Sequence, residues 1–198
     1  MHSGIVNIKI DSSFWDRFFL PFPLVIVGSK EGDKYDLAPK HMAIPLSWDN
    51  HYGFVCTEQH ATYHNIKKHG FFTVSYPKVD QLALASLTAC QRSDKDKNKM
   101  ILNHIENIPA VKIDGVFLKD SFLMLECELF KIIDGFGINS LISGKIIHAR
   151  IDEEYLREVD RNEQLQIYNH PVLSYIHPGR YAAIKDTAVF PFPKDFKK

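Results

Sequence analysis

The alternation in residues 122–133 constrains this chain more than any other stretch. Leu123, Leu125, Cys127 and Leu129 fall at every second position, with Glu126 and Glu128 between them. A period of two is the pleat of a β-strand, so one face should pack on a core and the other should meet water. Such a strand needs neighbours for its backbone groups. Residues 138–151 supply the nearest candidate, reached through the turn signal Asp134-Gly135.

The rest of the chain extends this pattern. Residues 22–27 read as a buried strand, followed by turn chemistry at Lys30-Glu31-Gly32-Asp33. Residues 35–47 read as a second strand, interrupted by Pro39 and Pro45, which implies an edge, a bulge or an irregular ligand-facing stretch. A short strand at 53–57 leads into a helix at 61–69. Gly70 is placed to end that helix in the left-handed conformation, with Lys67, Lys68 and His69 suited to the negative end of the dipole. Residues 71–76 return as strand. A second helix is expected at 80–90 with Asp80 as its cap, and a charged surface helix at 152–166. Asp114-Gly115 marks a further turn, and residues 179–184 are expected to close the barrel. Many short strands with two or three helices imply a mainly β fold, a β-barrel with a few helical insertions. Residues 1–198 contain no repeat, low-complexity run or Gly/Ser linker and form one domain.

Composition narrows the function. Lys plus Arg, at 24, equals Asp plus Glu, at 24, which argues against nucleic acid and against an anionic membrane surface as partner. Cys56, Cys90 and Cys127 lack paired spacing, so neither a disulfide framework nor a structural zinc site is expected. The opening residues lack the pattern of a signal peptide, and the apolar stretch 18–27, broken by Pro21 and Pro23, is too short to span a bilayer. A cytoplasmic location follows as the expectation.

Two segments carry possible chemistry. The first is the strand-to-helix junction Cys56-Thr57-Glu58-Gln59-His60-Ala61-Thr62. A helix N-terminus offers unpaired N–H groups and a positive dipole end to a phosphate, Thr57 and Thr62 add hydroxyls, and His60 can add charge. Simple N-capping by Thr or Gln explains the same residues. The second is Asp36-Leu37-Ala38-Pro39-Lys40-His41-Met42-Ala43, whose small residues would let a planar ligand approach the backbone; an ordinary proline-broken edge strand fits it equally. His60 and His64 have metal-ligand spacing but no accompanying Glu or third ligand, so no metal is expected. Gly135-Phe136-Gly137 lacks the third glycine of a dinucleotide fingerprint and reads as a turn. Cys56 reads as a buried small hydrophobe rather than a nucleophile.

The ordered set of these features resembles the flavin-reductase-like, flavoredoxin-like family of FMN-binding split β-barrels. The entry strand, Gly turn, small-residue segment, Thr-headed helix and strand Phe71-Phe72-Thr73-Val74-Ser75 match its first half. Leu125-Glu126-Cys127-Glu128-Leu129 resembles its long central strand, and Ser143-Gly144-Lys145-Ile146-Ile147-His148 its Gly-containing return strand. The resemblance covers roughly residues 15–186.

It implies FMN in a groove between the subunits of a homodimer. Ala38, Pro39, Lys40 and His41 would lie along the isoalloxazine and ribityl chain, and Cys56, Thr57, Ala61 and Thr62 near the phosphate. A further phosphate contact would come from Ser93-Asp94-Lys95-Asp96-Lys97, with Lys97 preferred to Lys95. The implied reaction is NAD(P)H-dependent: hydride passes to the flavin, and electrons then pass to a small-molecule acceptor. The cofactor does this chemistry and no side chain need act as acid or base; Lys40 or His41 is the choice for stabilising negative charge on the reduced ring. The alternative is a non-catalytic FMN-binding or electron-transfer protein. Two departures stand out: Asp36 where relatives often carry Asn, and Asp49-Asn50-His51-Tyr52 where they carry a Pro-Pro pair.

Overall fold

A computed structural model describes residues 4–93 and 98–194. Among the described residues twelve strands and three α-helices succeed one another, with short 3-10 turns between some of them: β1 (Leu20–Pro23), β2 (Val25–Glu31), β3 (Lys34–Lys40), β4 (Ala43–Ser47), β5 (His51–Thr57), α1 (Ala61–His69), β6 (Phe71–Tyr76), α2 (Leu82–Leu87), β7 (Asn107–Pro109), β8 (Val116–Leu118), β9 (Leu123–Phe136), β10 (Asn139–Ile151), α3 (Glu163–Asn169), β11 (Val172–His177) and β12 (Arg180–Ile184).

Seven strands form one antiparallel sheet in the order β3-β2-β6-β9-β10-β5-β4. The two proline-broken strands are its two edges, where a missing N–H removes no ladder bond from a neighbour on the open side. The single segment expected at 35–47 is therefore two strands, with His41 and Met42 between them. Met42 stays attached across the gap, its carbonyl accepting the Val55 N–H at 2.8 Å.

One face of the sheet curls around Val25, Val27, Phe54, Phe72, Val74, Cys127 and Ile142, and α1 lays Tyr63 and Ile66 into the same core. The opposite face of β2 packs Ile26 against Leu37, Ala85, Val116 and Leu118. Being covered on both sides is why Val25-Ile26-Val27 is an unbroken apolar run. The architecture is a split β-barrel with small helical insertions.

Several expectations change in detail. The β9–β10 turn falls at residues 137–138, with Asp134 and Gly135 still inside β9. The second helix is only Leu82–Leu87, preceded by a 3-10 turn at Val79–Gln81 whose N-terminal bonds come from Lys78 and Gln81 rather than Asp80. The charged helix at 152–166 reduces to a turn at Glu153–Tyr155 and the short α3. β12 does not close the barrel; it pairs with β11, which pairs with β1, in a separate three-stranded sheet. The αL cap at Gly70 is as expected, with φ of 78° and its N–H bonded to the Ile66 carbonyl at 2.9 Å.

The expected wet face of β9 fails at Glu126, which is fully buried. Its carboxylate accepts from the N–H groups of Val111, Lys112 and Ile113 at 2.8, 2.7 and 3.2 Å, and His148 Nδ1 stands 3.0 Å away. The loop that precedes β8 folds over this carboxylate, so four partners replace the water that the alternation alone would place there.

Candidate functional site: a cationic groove along β3

The C-terminal half of β3 and the N-terminus of α1 meet across a cavity of about 320 Å³. Its lining includes Asp36, Ala38, Pro39 and Lys40 from β3, His60, Ala61 and Thr62 at the head of α1, residues 88–92, and Lys99. Ala38 and Ala61 are small, so the backbone on either side is open to close approach. His60, the residue before α1, has extended backbone angles and makes no side-chain capping bond. Thr57 Oγ1 accepts only a long 3.5 Å bond from the Gln59 N–H. With no side chain capping it, the head of this helix presents its N–H groups and dipole to the cavity.

Positive charge converges on the same place. Asp36, only 2% exposed, lies between Lys99 Nζ at 2.9 Å and Arg92 Nη2 at 3.2 Å. A carboxylate buried this deeply would be costly unpaired, so its two cations are held in place by that cost. Lys99 also donates to the Leu37 and Thr88 carbonyls, both at 3.0 Å. Arg92 Nη1 donates to the Glu31 carboxylate at 2.8 and 3.0 Å. Lys40 adds a third cation, almost fully buried, with the Cys56 thiol as neighbour.

The titrating groups are tuned by the same surroundings. Burial, followed by the positive charge of Lys40 and Lys99, holds His60 below the ordinary imidazole range. His60 is therefore neutral at pH 7 and offers a hydrogen bond, not the charge its position implied. Burial likewise lowers His41, helped by His177 and Lys40. Burial pushes the Cys56 thiol up, which keeps it protonated and unreactive.

Lys40 and its neighbours continue the groove. A second cavity of about 530 Å³ shares Pro39, Lys40 and Ala89 with the first and adds His41, Leu24, Leu82, Ala85, Tyr175 and Tyr181. One end is thus cationic and rich in N–H donors; the other is mainly apolar and aromatic, with Arg180 in its wall. Such a groove suits an elongated ligand with an anionic tail and a flat head.

Of the residues singled out from the sequence, Ala38, Pro39, Lys40, Ala61 and Thr62 line the first cavity, and His41 lies in the second. Cys56 is buried behind the wall and Thr57 stands outside the lining. Lys95 and Lys97 lie outside the described residues. Sequence reasoning missed Arg92, Lys99 and the pairing role of Asp36. The nearest signal was the charged run at 93–97, which Arg92 and Lys99 flank. His64 is not part of the cavity lining, and its ring stands edge-on to Tyr63 at 5.4 Å.

Comparison with known proteins agrees with this fold. The family model described as "Flavin reductase like domain" matches residues 17–184. The fold resembles flavoredoxin from Methanosarcina acetivorans (TM-score 0.75, 19% identity, 96% of each chain covered). It resembles flavoredoxin of Desulfovibrio vulgaris (Miyazaki F) almost as well (TM-score 0.74, 17% identity, 96% of this chain and 99% of that one). An FMN-binding protein from Thermus thermophilus, solved with bound 1-cyclohex-2-enone, gives a TM-score of 0.73 at 18% identity over 96% of this chain and 99% of that one. No curated protein matches the sequence.

Proposed function

Because the chain belongs to the flavin-reductase-like family, we propose that its groove binds FMN and that the protein is an NAD(P)H-dependent oxidoreductase delivering electrons to a small acceptor. One observation carries the binding claim: the uncapped head of α1 faces the same cavity as Lys40, Arg92 and Lys99. A phosphate monoester there would accept from backbone N–H groups at Ala61 and Thr62 and from the cations.

The remaining residues then have defined tasks. Ala38 and Pro39 let the ribityl chain lie against β3. Leu24, Leu82 and Ala85, which line the second cavity, would hold the isoalloxazine. Asp36 would hold the charges of Arg92 and Lys99 beside the phosphate. Lys40 lines both cavities and Arg180 lines the second, so these two cations would stabilise negative charge on the reduced ring; neutral His41 can only donate or accept a hydrogen bond. FMN, when bound, supplies the hydride and single-electron chemistry, and the protein supplies position and electrostatics.

A homodimer belongs to the same proposal. Ile44, Leu46 and the fully exposed Trp48 stand on or beside the edge strand β4, and Phe130, 66% exposed, lies next to them, its ring 4.9 Å from His51. An apolar patch at a sheet edge is the kind of surface a second copy covers. Light scattering on the wild type and on Ile44→Asp checks this: a dimer that the substitution dissociates is expected. A wild-type monomer that still holds FMN would end the dimer proposal alone.

The decisive functional experiment is spectroscopic. The purified protein should bind FMN with a perturbed flavin spectrum, and NADH or NADPH should bleach it anaerobically. Bound flavin that neither nucleotide reduces would leave an electron-transfer protein. No measurable affinity for FMN would overturn the whole reading.

A further inference from the structure

Past His41 the groove opens into a third cavity, of about 430 Å³, to which the flavin reading gives no role. Trp15, Leu20, Phe22 and Met42 form its walls, and His41, His177 and Asp16 its polar corner. The volume falls within the range of about 300–1,000 Å³ usual for small-molecule sites.

The walls are tied down from several sides. His177 Nε2 lies 2.7 Å from Asp16 Oδ1, which fastens the turn Trp15–Arg17 to the end of β11 across the length of the chain. Trp15 stacks on Phe14 at 4.8 Å and 24° and meets Phe18 edge-on at 6.0 Å. His41 is wedged between Phe22, Tyr175 and His177, its ring nearly parallel to that of His177 at 5.9 Å. Trp15 and Met42 nevertheless remain 53% and 41% exposed. Large apolar side chains fixed at the rim of a cavity, rather than packed into a core, are the makings of a ligand surface.

The charge of the corner selects among ligands. Among the described residues no Lys or Arg lines this cavity. Asp16 is already engaged by His177, and burial keeps His41 neutral at pH 7. An anion would find no counter-charge here, and the flat aromatic walls favour a planar ring system.

We propose that this third cavity binds an uncharged, planar, conjugated dicarbonyl compound of the quinone class, its ring against Trp15, Phe22 and Met42 and one oxygen toward His41. As an electron acceptor this role rests on the flavin reading, since His41 lines the neighbouring cavity as well. The quinone takes up two electrons from reduced flavin together with two protons and leaves as hydroquinone, while the flavin returns to its oxidised form.

Binding can be read without turnover. Trp15 and Trp48 are the two tryptophans of the chain, and Trp48 is fully exposed, so Trp48→Phe leaves Trp15 as the reporter. Duroquinone is a suitable probe because its ring carries four methyl groups and cannot add the exposed Cys90 thiol. Titrated into the Trp48→Phe protein, with and without FMN, it should quench Trp15 fluorescence to saturation. Adding Met42→Glu should weaken that binding at least about tenfold, because it places an unpaired carboxylate in the wall. Quenching that rises linearly without saturating would overturn the site, as would equal affinity in the Met42→Glu protein or tighter saturation by benzoate. The FMN spectrum of the same samples reports the flavin reading separately: loss of FMN binding with saturable quenching intact would leave the cavity and remove its electron donor.

Discussion

Replacing Glu126 by Ala tests whether the buried carboxylate of β9 holds the loop before β8. Three backbone N–H groups and one imidazole converge on it, at 2.7 to 3.2 Å. Removing the acceptor leaves those donors facing an apolar methyl group. Each unsatisfied donor costs about 1–3 kcal/mol where water cannot reach it. Val111 and Lys112 are exposed, so solvent relieves part of that cost. The net loss should resemble that of breaking a buried charged pair, about 3–5 kcal/mol. For a chain of this length that is a fall in Tm of about 6–20 °C. Glu126→Gln keeps the shape and one acceptor but turns an NH2 group toward amide donors, and should fall between the two.

The pH dependence gives an independent check. Burial by itself would push the Glu126 carboxyl up, but the three N–H donors, helped by His148, outweigh it, so the group titrates below the ordinary glutamate range. A depressed folded-state pKa means the stabilisation is complete above the unfolded value and is lost as pH falls through the folded one. The gap between wild type and Glu126→Gln in urea unfolding, followed by far-UV circular dichroism, should be constant from pH 7 to about 5 and shrink below about 4.5. An Ala variant within about 0.5 kcal/mol of wild type at pH 7, or a gap that widens on acidification, would refute the reasoning.

Further outcomes follow from the groove and the core. Lys40→Ala should raise the Kd for FMN about 10- to 150-fold, the value of a charge-assisted hydrogen bond of about 1.5–3 kcal/mol; titration by flavin fluorescence measures it, and an unchanged Kd would remove Lys40 from the site. Thr62→Ala should weaken FMN binding several-fold while Thr57→Ala does not, because only Thr62 lines the cavity; equal effects in the same titration would move the phosphate elsewhere. Gly28→Ala should destabilise by at least about 1–3 kcal/mol in urea unfolding, since its Cβ would stand inside van der Waals contact of Thr73 Oγ1 and the Val116 carbonyl.

Strand content, the Gly70 cap and the two segments that line the groove are legible in the sequence, whereas the proline-broken stretch at 35–47 reads as one strand with an edge, a bulge or a ligand-facing segment all open, and the fold makes it the two edge strands. Each legible feature is a local matter: period-two hydrophobicity, a missing N–H and a positive φ are written within about ten neighbouring residues, while the sequence leaves capping of the α1 head by Thr or Gln open and the structure shows no side-chain cap there. Tertiary structure alone decided what depends on partners far along the chain. It buried Glu126 by folding residues 111–113 over it, and it set Arg92 and Lys99 around Asp36, at distances of 56 and 63 positions in sequence. It also moved β12 out of the barrel to pair with β11. An isolated Asp or Glu in a strand pattern reads as solvent-facing because water is its default partner. Only when the fold supplies donors of its own, at less cost than water, does that residue become part of a core or of a site.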